Sequence, residues 1–379
     1  MGLNLHIYPS AIRFESRMLK ATKSLANTGK FREIHLIGIL EPGLAEHEQI
    51  DHIRSIWRVR LSKPWPIPKT RGLQRLLQWT AKIFTQYRRE GVSVVHCHSL
   101  DDLPIGVLLK LGKRGVKLVY DAHELETEKN GLTGLNKKFA KIKERILIRF
   151  VDHTLVVSDS IADWYKHNYQ DGPITVVRNM PCRNGSTLPD QARSVFRDQF
   201  GIHGGIVFLY QGALMRGRGI ELLLNAFSKV KDNKHIVFMG YGSYEQEIKD
   251  FAAKYKNIHF HEAVKPDEVM RYTVGADVGI CLIENTCLSY YYSLPNKLYE
   301  YTLAGIPVVV SQFPEMSKLI GEFENGWGTP VSEESLLSLV EKIDSPSIET
   351  KRRNSIKARE RIGWDLEEKK LLAAYQGLF

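Results

Sequence analysis

Short apolar runs alternate with runs of helical periodicity along almost the whole chain, and this alternation restricts the fold more than any other feature. Strand-like runs fall at 3–8, 33–40, 92–96, 117–120, 153–157 and 174–177, with helical patterns at 13–27, 103–112 and 137–151. The second half repeats the rhythm, with strands at 206–211, 235–239, 257–260, 277–282 and 306–311 and helices at 220–231, 244–254, 266–274 and 295–304. Near-continuous apolar strands separated by helices predict parallel sheets covered on both faces. A chain of 379 residues exceeds one ordinary core, so two doubly wound α/β domains are expected. The break is placed in "NMPCRNGSTLPDQ", where proline, glycine and small polar residues favour a linker. In open sheets of this kind ligands bind beyond the carboxyl ends of the strands. The loops after each strand therefore carry the functional search.

Composition removes several classes. No apolar run approaches the roughly 20 residues needed to cross a bilayer, and the N-terminal run lacks the long apolar core of a signal peptide. Cys97, Cys182, Cys281 and Cys287 are scattered without a CxxC pair. They read as reduced thiols in a cytoplasmic chain. Residues 1–189 hold 30 Lys/Arg against 18 Asp/Glu, and residues 190–379 hold 23 against 25, so the net charge of +10 resides in the first half. That half suits an acidic acceptor, nucleic acid or an anionic membrane surface. No nucleic-acid module accompanies the charge.

"SLPNKLYEYTLAGIPVVVS" begins at Ser293 and places one acid, Glu300, just before a buried strand. Ser293 as a cap, Pro295 in the first turn and Gly305 at the end define a short helix. Asn296, Lys297 and Glu300 share one face of it. The free amides at its start and the Lys297 charge suit phosphate. Glu300 lies one turn further in, where a carboxylate accepts hydrogen bonds from ribose hydroxyls; the plain alternative is an exposed Lys297–Glu300 ion pair. A second loop, "FLYQGALMRGRGIELLLNAF", offers Gly212, Gly217 and Gly219 for close backbone approach, with Arg216 and Arg218 at the helix entrance for a forked pyrophosphate contact. A third, "FMGYGSYEQEI", sets Gly240 and Gly242 after a strand.

Taken in order, "GALMRGRGIELLLNAF", "FMGYGSYEQEI", "ADVGICLI" and "LPNKLYEYTLAGIPVVVS" resemble the donor-binding half of GT-B glycosyltransferases of family 4. "VVHCHSLDDLP", "LVYDAHELE" and "GWDLEEKKLLAAYQ" extend the resemblance over most of the chain. It implies two Rossmann-like domains facing a central cleft: residues 1–182 for the acceptor, residues 183–355 for a nucleotide-sugar, and 356–379 as a final helix returning to the first domain with Trp364 and Tyr375. It implies donor contacts from Gly212, Arg216, Arg218, Gly240, Gly242, Tyr292, Ser293, Leu294, Asn296, Lys297 and Glu300. The chain departs from the family twice there. Ala213 replaces an arginine, with Arg218 where the family has lysine, and Tyr292 replaces the first of two paired glutamates. The Gly-rich turn usual after the first strand is also missing, with Pro9, Ser10 and Ala11 in its place.

In the first half the resemblance puts His123 beside the reacting sugar, supporting the transition state or hydrogen-bonding a hydroxyl; histidine can also move a proton near neutral pH. His98 is expected to border the acceptor. Arg13 and Arg17 meet an acidic acceptor or are surface charges. Asp101, Asp102 and Asp121 are read as caps and Glu124 and Glu126 as solvated. HxH beside two aspartates invites a metal, but the strand and cap readings are preferred and no metal is assigned. Two basic stretches, 57–90 and the helix 137–151 with Phe139, Ile142, Ile146 and Phe150 on one side, fit a membrane surface; for the second, a core-facing stripe is the expectation.

The combined expectation is a cytoplasmic enzyme, free or peripheral at the inner membrane face, that moves a sugar with retention from a nucleotide diphosphate-sugar, uridine rather than guanosine. The acceptor is a hydroxyl of a glycan or lipid-linked acceptor in surface polysaccharide synthesis. His123, Arg218 and Glu300 are the catalytic candidates, and no cofactor is needed. The alternatives are an epimerase or hydrolase of the same fold and a non-catalytic donor-binding subunit.

Overall fold

The computed structural model describes residues 2–379 except 14, 63–70, 170–171, 184–193 and 232, together with the side chain of residue 71. The chain forms two compact units, Met1–Asn179 with Glu367–Phe379, and Met180–Leu366. The division therefore falls a few residues before 182, and the returning segment is shorter than 356–379. Most of "NMPCRNGSTLPDQ" lies outside the described residues.

The first unit contains β1 (Gly2–Ile7), β2 (Phe31–Ile39), β3 (His47–Gln49), β4 (Arg54–Val59), β5 (Val92–Cys97), β6 (Lys117–Ala122), β7 (His153–Val156) and β8 (Ile174–Val176). They order as β3-β4-β2-β1-β5-β6-β7-β8. Every pairing is parallel except β3 with β4. The sheet grows outward in both directions from β1, so the switch point lies between β1 and β5. β3 and β4 were not read from sequence. Arg54 and Arg58 interrupt the apolar pattern of β4, yet both are buried. Arg54 is held by Asp51 at 2.7 Å, and Arg58 donates to the carbonyls of Ala11 and Ile12.

The helix Gly134–Leu147 corrects the expectation of a core-facing apolar stripe. Leu135, Phe139, Ile142 and Ile146 are 53% to 69% exposed, and the fully buried residue is Glu144. The cause is hydrogen bonding. The hydroxyls of Tyr120, Tyr165 and Tyr169 all donate to the Glu144 carboxylate, at 2.6–2.7 Å. A buried acid with three donors outweighs the burial of a few alkyl groups.

The second unit contains β9 (Ile206–Ala213), β10 (Lys234–Tyr241), β11 (Ile258–Glu262), β12 (Val278–Cys281), β13 (Val308–Ser311) and β14 (Gly326–Thr329). The order is β11-β10-β9-β12-β13-β14, all parallel. In the unit's own count this is 3-2-1-4-5-6, the dinucleotide-binding order with its switch between β9 and β12. β14 escaped the sequence reading because it is "GWGT": a Cβ on Gly326 would overlap the Val308 carbonyl, so glycine is required where strand formers would be sought.

The helix Asn296–Ala304 is fixed to this sheet by Tyr301. Its ring covers Gly279 of β12, where a Cβ would overlap it. Its hydroxyl lies 3.0 and 3.2 Å from the carbonyls of Leu209 and Ile280 and accepts from the Gln211 amide at 3.1 Å. Tyr301→Phe retains the ring and leaves these buried groups short of a partner. We expect it to destabilise the fold by about 1–3 kcal/mol, read as a lower urea midpoint with unchanged m-value.

Candidate functional site

A cavity of about 370 Å³ opens at the carboxyl ends of β9 and β10 in the second unit. Its wall carries Gln211, Gly212, Ala213, Arg218, Gly240, Asn296, Lys297 and Glu300. Three separate loops thus supply one site. Gly212 has φ +109°, a backbone that other residues rarely adopt. A Cβ on Gly240 would overlap the Gly212 carbonyl. The two glycines let β9 and β10 end closely side by side, leaving backbone as the cavity wall.

Lys297 Nζ sits 3.8 Å from the centroid of the Tyr210 ring. This contact holds the ammonium beside the cavity without a counter-charge. The Arg218 guanidinium lies 4.8 Å from the Tyr290 ring centroid. Burial pushes the nearby Cys281 thiol up to about 11, against the pull of Lys297 and Arg218. Both cations therefore act on the same small volume. Pro295 is the N-cap of the helix Asn296–Ala304, so the first-turn amides start at Asn296 and face no preceding turn.

Glu300 is placed by a residue the sequence reading missed. Gln211 Nε2 donates to Glu300 Oε2 at 2.5 Å, and Thr273 Oγ1 lies 2.8 Å from Gln211 Oε1. Gln211 sits on a strand end in an otherwise apolar run, and only its polarity there hinted at a role. Tyr210, Val264 and Val269 supply apolar wall of a kind suited to a ring face.

Other expected donor residues stand apart from the cavity wall. Ser293 does not cap the helix; its hydroxyl donates to the Tyr290 carbonyl at 2.7 Å, closing a short helix Leu288–Tyr291 that was not foreseen. Leu294 packs against the apolar core. Tyr292 lies beside the Tyr291 ring. Arg216 is exposed in the turn. Gly242 has a packing role, since a Cβ there would overlap the Leu214 carbonyl.

The first unit has its own polar centre, at its switch point. His6 on β1 and His96 on β5 are register partners. His6 Nδ1 lies 2.9 Å from His98 Nε2, and His98 Nδ1 lies 3.0 Å from His123 Nε2. His98 is completely buried, which corrects the expectation that it borders an acceptor; His123 is the ring that is partly exposed, with 25% of its side chain accessible. His96 is held by the Tyr375 hydroxyl at 2.7 Å. Tyr375 thus packs in the first unit as expected, whereas Trp364 falls within the second.

Asp121 is no cap. It lies buried in β6 and is gripped by Arg17 through two bonds of 2.8 and 2.6 Å. Arg17 is therefore neither a surface charge nor an acceptor ligand. Burial would raise the Asp121 carboxyl, but the Arg17 guanidinium holds it well below its ordinary value. Asp102 likewise accepts from Ser99 and Trp79 and caps nothing with its side chain. Glu126 is buried, accepting from the Leu100 amide and pairing with Lys129 at 2.9 Å. Arg13 is exposed and pairs with Glu41 at 3.2 Å.

Residues 32–180 match the Glycosyltransferase Family 4 profile and residues 193–361 match Glycosyl transferases group 1. Among curated proteins, the chitobiosyldiphosphodolichol beta-mannosyltransferase of Debaryomyces hansenii is 22% identical over 302 residues, 69% of this chain and 61% of that protein. The chain spans between half and about three-fifths of the length of the curated relatives it matches. Sucrose-phosphate synthase from Thermosynechococcus elongatus superposes with a TM-score of 0.81 at 14% identity, covering 100% of this chain and 99% of that one. Anabaena HepE in complex with UDP-glucose gives 0.74 at 14% identity, covering 99% and 100%. By its two α/β units and the two successive family matches along it, the chain belongs to the GT-B glycosyltransferases of family 4.

Proposed function

We propose that this chain transfers a sugar from a nucleoside diphosphate-sugar, with uridine as the base, to a hydroxyl of a glycan or lipid-linked acceptor. The observation that carries this reading is the convergence of Arg218, Lys297 and Glu300 on one cavity walled by Gly212 and Gly240. Two cations and the first-turn amides suit the diphosphate, and a carboxylate one turn further suits the ribose hydroxyls. The UDP-glucose bound by the HepE fold relative supports this donor class.

Retention follows from a same-face route. The bond from the anomeric carbon to the diphosphate oxygen breaks, the acceptor oxygen bonds to the same face, and a phosphate oxygen takes its proton. Arg218 and Lys297 stabilise charge that grows on the departing diphosphate. Position 292, a tyrosine, supplies no carboxylate near the anomeric carbon.

The lipid-linked acceptor and a peripheral location draw support from the helix Gly134–Leu147. Leu135, Lys138, Phe139, Ile142, Arg145 and Ile146 share its exposed face, and Leu108 and Leu111 of the neighbouring helix Leu103–Gly112 are also exposed. Apolar side chains interleaved with cations match an anionic bilayer surface. Among the described residues no helix is long and apolar enough to cross a membrane.

Lys297→Ala should weaken UDP binding by about tenfold to a hundredfold in calorimetry, the loss of one charge-assisted hydrogen bond. Binding of uridine alone should change little; an equal loss for both would sink the diphosphate assignment. Donor consumed at full rate without any acceptor would instead favour a hydrolase. The double variant Phe139→Glu with Ile142→Glu should cut sedimentation with phosphatidylglycerol-containing vesicles at least about tenfold, with an unchanged melting temperature because both side chains are already solvated. Retained vesicle binding would overturn the docking face.

A further inference from the structure

The line His6–His98–His123 has a property that no ring in it has alone. Each of its two contacts, 2.9 and 3.0 Å long, holds one proton between two ring nitrogens. Burial first, then the neighbouring histidines, hold His6 and His98 well below the ordinary imidazole value, so both are neutral near pH 7. With one N–H per ring, only two orders satisfy both contacts. In the outward order every ring carries its hydrogen on Nδ1, and His123 presents Nδ1–H away from the line. In the inward order every ring carries it on Nε2.

The far end chooses between them. His6 Nε2 is buried and has no hydrogen-bond partner. The inward order strands an N–H there, and the outward order strands only a lone pair. Orphaned buried N–H groups are the rarer and costlier defect.

We infer that His6 and His98 are positioning residues that fix the tautomer of His123, so that its ring presents Nδ1–H as a hydrogen-bond donor to a sugar or phosphate oxygen. The identity of that oxygen rests on the proposed function; the order of the protons does not. The groups facing the line are few. Asp121 Oδ2 is 3.5 Å from both His98 Nδ1 and His123 Nε2 and is paired with Arg17. His96 stacks on His6 and His98 at 4.4 and 4.3 Å and is tied to Tyr375. The Tyr8 ring lies 5.5 Å from His123, with Lys129 and Glu126 acting on Tyr8. Two groups are near enough for one ion to bridge them, His6 with His96 and His98, and His98 with Asp121 and His123. In the first, His96 stacks on both other rings; in the second, the Asp121 carboxylate is already paired with Arg17.

The test is two-bond 1H–15N correlation on the full chain labelled with 15N-histidine, without substrate. Nδ1–H on His6, His98 and His123 at pH 7 is the expected result. In His6→Phe the donor into His98 is gone, so His123 should exchange between tautomers. kcat/KM at pH 7 should then fall while KM for the nucleotide-sugar changes less than about twofold. A purely structural role would lower the folded fraction and leave the His123 tautomer alone. An Nε2–H on His123 in the wild type, or stoichiometric zinc with metal-shifted ring nitrogens, would overturn the inference. Should His6→Phe fail to fold, the wild-type spectrum decides. Outward protons in a chain that shows no sugar transfer would support the line and sink the proposed reaction.

Discussion

The ring of Tyr301 lying on the bare backbone of Gly279 is the contact on which the cavity of the second unit depends. It brings the helix Asn296–Ala304 within reach of β9 and β12. The same hydroxyl accepts from Gln211, whose side chain then holds Glu300. Lys297 and Glu300 flank Tyr301 on this helix by four residues and one residue, so anchoring that side chain anchors both. A side chain at position 279 would lift the helix, and the cation and the acid with it. The apolar packing around this point is extensive, but it is non-directional. The hydroxyl and the missing Cβ supply the register.

The two units use their switch points differently. In the second, the strand ends carry glycines and backbone, and the charge is brought in by a helix and a loop. In the first, the strand ends carry the polar groups themselves. His6, His96 and Asp121 sit on β1, β5 and β6, with His98 and His123 just beyond the latter two. Such a cluster costs desolvation unless every charge is matched. Arg17 meets Asp121 through two bonds and also donates to the Val177 carbonyl at 2.6 Å, and Tyr375 caps His96. The chain's last segment is thus bound to the first unit by a polar contact, joined by the Glu367 carboxylate accepting from the Arg178 amide at 2.8 Å.

Sequence pattern carried the fold well because parallel strands buried on both faces are apolar without interruption. It failed where polar residues are buried with partners. Arg54 and Arg58 hid β4, Glu144 turned its helix over, and Asp121 and Glu126 were read as surface or capping acids. For Asp121 and Glu144 the partner lies far away in the chain: Arg17 is 104 residues from Asp121, and Tyr120 is 24 from Glu144. Local pattern contains no trace of such a partner. The donor cavity was legible in its charged members, Arg218, Lys297 and Glu300, because a cation or acid beside a helix start has few structural reasons to be there. Gln211 was not, since a neutral amide at a strand end looks like any other edge residue. Ser293, Leu294 and Gly242 were assigned by neighbourhood in the motif, and neighbourhood in sequence does not decide which side of a turn a residue faces.

The cavity wall is unbalanced in charge. It carries two cations, Arg218 and Lys297, against the single carboxylate of Glu300. That carboxylate is partly engaged by Gln211. Each cation is backed by an aromatic face, Tyr290 or Tyr210, in place of an acid. An acid in either position would form a closed ion pair that a ligand must break before binding, at the cost of desolvating and separating two charges. A ring face stabilises the cation more weakly and leaves its outward side unsatisfied. The site therefore keeps its positive potential for an incoming anion, which would exchange a weak contact for a strong one. Charge placement of this kind favours an anionic ligand group over a neutral one.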